Sequence, residues 1–182
     1  MKFLRFPALL LACAAVWTGC EKEPSVSPTP PVFEIDPRGH LLHAQPKLPT
    51  IQVIVDGHRL EAEIARRQIE IATGMMFRTN MPENTAMIFV FDDVNHRSFY
   101  MRNCEVPLSA AYIAPSGEIF QIIDMKPHDE TGIPSQSDNI QFVLEVPQGW
   151  FTRHNVGVGA VVRTEKGSLQ DTFFGNSSPA AQ

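Results

Sequence analysis

Cysteine is scarce, positive charge is in the minority, and the apolar run at the N-terminus is short. Three cysteines in 182 residues argue against a disulfide-stapled scaffold. Fifteen Lys and Arg face twenty Asp and Glu, for a net charge of −5, which argues against a basic nucleic-acid binder. The run Phe6–Trp17 rises about 1.5 Å per residue if helical, well short of a bilayer core of about 30 Å. No His-Glu-x-x-His, Cys pair or calcium loop is present, so no metal is expected. No phosphate-cradling Gly-rich motif and no Gly-x-Ser-x-Gly elbow occurs either, and no cofactor is expected. What is there is ordinary. Hydrophobic residues at 43% and charged residues at 19% fit about one globular domain and exclude wholesale disorder.

The first twenty residues read as an address. Lys2 and Arg5 precede the apolar core, and Val16-Trp17-Thr18-Gly19-Cys20 follows it. This order has the form of an export signal ending in a bacterial lipobox. Cys20 is then expected to become the lipidated first residue. Trp17 departs from the aliphatic residue usual three places before that Cys, and an ordinary signal with a coincidental Cys is the simpler alternative. Glu21 stands where inner-membrane retention favours Asp, so the periplasmic side of the outer membrane is the expected location. Cleavage removes Lys2 and Arg5 but no acid, leaving a more acidic chain that anionic lipid would not attract. Acyl chains would supply the membrane anchor. Cys13 leaves with the signal and Cys20 is blocked, so Cys104 has no intrachain partner.

Four segments follow from this: a signal at 1–19, a lipidated Cys and Pro-rich tether at 20–49, a domain at 50–167, and a flexible polar tail at 168–182. The tether holds seven of the fifteen prolines, which cannot sustain helix or sheet. Phe33, Ile35, Leu41 and Leu42 are the residues that would dock its second half. In the tail, Phe173-Phe174 could pack. Within the domain the pattern is mostly β. Ile51–Val55 and Leu60–Ile64 flank Asp56-Gly57, a strong hairpin signal. Arg66–Thr73 has a helical face stopped by Gly74. Ala86–Phe91, Arg97–Arg102, Leu108–Ala114, Glu118–Met125, Ile140–Val146 and Ala160–Arg163 read as strands. Pro127–Asn139 reads as a loop, and Pro147 as the first turn of a short helix through His154. Many short strands, two short helices and no βαβ rhythm predict a mainly β, α+β fold built as a sandwich or barrel.

Five blocks then appear in a fixed order: Gly74-Met75-Met76-Phe77-Arg78, Ala86-Met87-Ile88-Phe89-Val90-Phe91, Tyr100-Met101-Arg102-Asn103-Cys104, Pro107-Leu108-Ser109 and Leu144-Glu145-Val146-Pro147-Gln148-Gly149. Together they resemble the bacterial and archaeal family known as domain of unknown function 192, over about Ile51 to Arg163. The resemblance implies a jelly-roll-like β-sandwich with short helices and brings no accepted reaction. Met75 stands where the family has Leu, Arg102 for Lys and Cys104 for Thr. Ser109 and Ala114 stand where Asp is usual, so any chemistry those acids serve in relatives is absent here.

Arg78, Arg102, Asn103 and Glu145 all fall in these blocks and form the candidate ligand-binding set. Two guanidiniums and an amide could hold a carboxylate, phosphate or sugar, and Glu145 could accept a hydroxyl or act as a base. The structural alternative is an internal Arg–Glu bridge, with Arg78 and Arg102 both close to Glu145. Cys104 beside Arg102 is either an activated thiol or a buried small residue. The methionines, Met75, Met76, Met81 and Met87 among them, are core fillers before they are copper ligands. The expected function is a lipid-anchored envelope module binding a small polar ligand or an envelope protein. The alternatives are an enzyme on an envelope polymer with Glu145 as acid or base, and a purely interaction-based envelope factor.

Overall fold

A computed structural model describes residues 34–175. The expected export signal, Cys20, the first part of the expected tether with Phe33, and residues 176–182 lie outside the described residues.

Strands β1 (Thr50–Val55) and β2 (His58–Ala65) pair antiparallel around Asp56 and Gly57, which have φ of 46° and 84°. Positive φ at both central residues is what a two-residue hairpin matched to the strand twist requires. Helix α1 (Gln68–Thr73) follows. Its start is fixed by Glu70, whose carboxylate accepts the backbone N–H groups of Arg66 (3.0 Å) and Arg67 (2.8 Å), donors a helix leaves unpaired. Strand β3 (Thr85–Asn95) then lies parallel to β2. The segment β2-α1-β3 is thus a crossover, against the expectation of no βαβ unit. The helix itself is legible in the sequence, but adjacent residues do not show that β3 returns parallel to β2 rather than antiparallel.

The rest of the chain supplies β4 (Ser98–Phe99), β5 (Leu108–Ile113), β6 (Ile119–Met125), β7 (Ile133–Pro134), β8 (Ile140–Pro147), α2 (Trp150–Arg153), β9 (Val162–Thr164), β10 (Gly167–Ser168) and α3 (Leu169–Phe173). Eight strands form one sheet in the order β10-β9-β1-β2-β3-β8-β5-β6, and β4 pairs with β7 apart from it. The two ends of the sheet meet at a single bridge, Glu118 to Val161, without closing a barrel. One face carries Val53, Leu60, Ile88, Ile113, Phe142, Leu144 and Trp150 in a single cluster. The other packs Met87, Phe89, Tyr112 and Val143 against Met75, Met76 and Met101. The fold is β-rich α+β, as the pattern predicts, with the layers made by one curled sheet and, among the described residues, three helices rather than two. Strands β5 and β8 are buried along almost their whole length, which explains their near-continuous apolar runs.

Ordered packing continues on both sides of residues 50–167. Ser168 does not open a frayed tail. Its hydroxyl accepts the N–H of Asp171 at 3.0 Å and caps α3, Leu169 is fully buried, and Phe173 and Phe174 pack on Phe142. On the N-terminal side, His40, Leu41, Gln45 and Leu48 are buried. The Leu41 N–H donates to Thr73 Oγ1 (3.0 Å), and Gln45 Nε2 donates to the carbonyls of Gly74 (2.8 Å) and Glu70 (3.2 Å). This segment therefore fastens onto the end of α1, where Gln45 adds a second donor to the Glu70 carbonyl, which also accepts the Gly74 N–H, and pairs the Gly74 carbonyl. Ile35 and Leu42, expected to dock, are exposed. The loop Pro127–Asn139 contains β7, the strand expected over Arg97–Arg102 shortens to β4, and Pro147 ends β8 instead of opening α2.

Candidate functional site

The structure distributes the four nominated residues over three places. Arg78 leaves the Gly74–Arg78 block and forks onto Glu63 of β2, with Nη1–Oε1 at 2.6 Å and Nη2–Oε2 at 2.9 Å. The block's shape begins at Gly74. This glycine ends α1 at φ 47°, and a Cβ there would stand 3.3 Å from the Phe89 ring. Burial pushes the Glu63 carboxyl up, but hydrogen bonds from Arg78 and the Leu48 N–H, with the Arg78 charge, outweigh it and hold it below the usual range. Arg102 points to Glu130 at 3.6 Å, a long contact to an exposed carboxylate, and its Nε is buried without a hydrogen-bond partner. Asn103 takes φ 52°, a conformation Asn tolerates. Its carbonyl accepts the Phe77 N–H, which fastens the loop to the Gly74–Arg78 block.

Glu145 is paired with neither arginine, so the expected Arg–Glu145 cluster is corrected. The reason lies in the strand register. Glu63, Met87 and Glu145 sit on one row across β2, β3 and β8. Two strand spacings, about 9–10 Å, separate the two acids, and Arg78 meets the nearer one. Glu145 is 4% exposed. Its Oε2 is buried with no hydrogen-bond partner, and no cation pairs with it among the described residues. Burial pushes its carboxyl up to about 8, so it is mostly protonated at pH 7.

This acid lines a cavity of about 340 Å³. Because Phe142, Leu144 and Val146 fill one face of the sheet, the period-2 alternation turns Val143 and Glu145 to the other. The end of α1 with Met75 and Met76 supplies one wall, Phe89 and Phe91 of β3 another, and the segment His96–Tyr100 with Cys104 a third. Phe99 packs edge-on to Phe89, with ring centroids 4.9 Å apart. Arg97 lies over Phe91, its Cζ 3.9 Å from the ring centroid. Its Nη2 donates to the Asp93 carbonyl (2.5 Å) and Oδ1 (2.8 Å), while its Nε is buried and unpaired.

The chemistry available is that of one desolvated acid among electron-rich rings and thioethers. Cys104 is not an activated thiol. Burial first, then the charges of Glu145 and Glu105, push it up to about 12. Among the four nominated residues, Glu145 alone lines the cavity. Its position was legible as the one acid in an apolar strand. Arg97 and Phe99 were missed as site residues, because a strand expected over Arg97–Arg102 does not show which wall it will form. Only the density of aromatics from Phe89 to Tyr100 marks that wall in the sequence.

The model of the family described as an uncharacterized ACR, domain of unknown function 192, matches residues 51–164. The chain belongs to this family. No curated protein matches it. Two crystal structures are similar to it. One is a candidate transcription regulator from Sinorhizobium meliloti 1021, 26% identical, with a TM-score of 0.63 over 66% of this chain and 98% of that one. The other is a protein of unknown function from Novosphingobium aromaticivorans DSM 12444, 27% identical, with a TM-score of 0.62 over 74% of this chain and 94% of that one. In this family member the family blocks supply Gly74–Met76, Phe89, Cys104 and Glu145 to the cavity wall, while residues 71–73 and 96–99 come from outside them.

Proposed function

We propose that this chain is a lipid-anchored envelope protein whose domain binds a small ligand in the cavity over Glu145. The observation that carries the reading is the Glu145 carboxyl, buried, without a partner, and facing a space of ligand size. A buried polar group without a partner costs stability, so a ligand that supplies the missing partner recovers that cost on binding. The cavity's apolar and aromatic lining with one deep polar group is the usual make-up of a small-molecule site. The site is thus moved from Arg78, Arg102 and Asn103 to the acid they leave alone. The envelope placement, on the periplasmic side of the outer membrane, is supported by the signal-like start and Thr18-Gly19-Cys20.

A second reading, an enzyme on an envelope polymer, is favoured by the same acid, since a carboxyl near 8 suits a general acid at neutral pH. Glycoside hydrolysis in its common form needs two carboxyls, and among the described residues Glu145 is the only one lining the cavity. Binding is therefore preferred.

The test is a fragment screen on the exported chain, followed by methionine-methyl NMR. Fragments that bind here should move the Met76 methyl, which lines the cavity, and leave Met81, which lines a separate hollow beside Arg78. A screen in which no fragment moves Met76 would refute the reading.

A further inference from the structure

Resting on the cavity reading, we propose that the ligand is a small cationic amine with an apolar body, its ammonium group paired with Glu145. The cavity offers a cation what it does not offer an anion. Its deep polar group is an acid with no protein donor on Oε2. Around that acid lie the rings of Phe89, Phe91, Phe99 and Tyr100 and the thioethers of Met75 and Met76. Aromatic faces carry negative potential and attract ammonium groups, most strongly where water is excluded. The one resident cation at the wall, Arg97, is already engaged. It stacks on Phe91 and gives Nη2 to two oxygens of Asp93. Its free Nε is the single feature that would suit an anion, and it defines the competing outcome.

The other titratable groups around Glu145 do not supply the missing charge. Cys104 and Tyr112 are both pushed up to about 12, mainly by burial, and stay neutral. Strand β3 contributes Met87 and Phe89 on this side, and β5 contributes Ala110 beside Tyr112. His96 and Arg97 stand on the wall with Tyr100. An ammonium group entering the cavity would draw the proton off Glu145, leaving an ion pair beside the aromatic rings that line the cavity. Binding is then coupled to release of one proton, and affinity follows pH.

Benzylamine, benzyl alcohol and benzoate, titrated into the exported chain at pH 6, 7 and 8, separate the outcomes. The Met76 methyl reports occupancy. Benzylamine should bind at least about tenfold more tightly than benzyl alcohol at pH 8, a difference of about 1.4 kcal/mol. Its affinity should rise by up to about tenfold per pH unit toward pH 8. Calorimetry in buffers of different ionisation enthalpy should show close to one proton released per benzylamine bound at pH 7, and Glu145→Gln should erase both the preference and the pH slope. The wild-type proton count stands even if that variant folds poorly. Equal or tighter binding of benzyl alcohol or benzoate would overturn the amine and leave the cavity reading standing, with benzoate pointing to Arg97 Nε. Silence of Met76 with all three probes would overturn the amine inference, while the fragment screen decides the cavity itself.

Discussion

Arg78 and Glu63 form a two-point ion pair across the end of α1, with both oxygens of the carboxylate held by one guanidinium at 2.6 and 2.9 Å. Both side chains are mostly shielded, at 18% and 13% exposure. A fork of this kind is stronger than a single contact, and removing one partner leaves the other half-buried and unpaired. Arg78→Met is therefore expected to cost about 1–3 kcal/mol, measured by urea denaturation at pH 7. Adding Glu63→Met should return most of that loss. A double variant no more stable than Arg78→Met would show that the pair is not what holds this corner.

The segment before Thr50 is expected to matter for stability, not only for reach. Leu41 and Leu48 are buried, and Gln45 caps two carbonyls at the end of α1. Leu41→Ala alone should cost about 2–4 kcal/mol. A chain beginning at Thr50 should melt well below the mature protein. Equal melting temperatures would mean that the segment only rests on the surface.

Glu145 makes stability fall as pH rises. Its carboxyl moves from an ordinary value of 4.5 up to about 8 in the folded chain. Between those values the folded state holds a proton that the unfolded state has released, so each step up in pH favours unfolding. Glu145→Gln removes this dependence. The stability difference between variant and wild type should grow in the variant's favour by on the order of 3 kcal/mol from pH 5.5 to pH 8. A difference that stays flat with pH would mean the acid finds a charge partner.

Cys20→Ser should leave a precursor that takes up no fatty-acid probe, because the thiol that would carry the lipid is gone. Normal labelling of that variant would place the anchor elsewhere.

What the sequence made legible was local. The Asp56-Gly57 turn, the stop at Gly74 and strands β5, β6 and β8 each carry their own signal in adjacent residues. Glu145 stood out because an acid inside Phe142–Val146 breaks an apolar run. Its lack of a partner was not legible. That depends on the parallel register of β2 on β3, which places Glu63 within reach of Arg78 first, and a strand, a helix and a strand read in order do not show how the two strands pair. The capping of α1 by Gln45 was hidden for a similar reason. A glutamine between prolines looks like tether until the helix end it serves is in place. Arg97 and Phe99 entered the site through tertiary packing alone, since a strand expected over Arg97–Arg102 does not show which wall it will form.

The most direct test of the central claim is the titration of the Glu145 side-chain carboxyl by carbon-detected NMR, with Glu63 followed in the same spectra. An acid buried without a partner should titrate near 8, while the bridged Glu63 should titrate below the ordinary carboxylate range. Glu145 titrating at or below 4.5 would contradict this, because it would place a cation or several hydrogen-bond donors on the carboxylate.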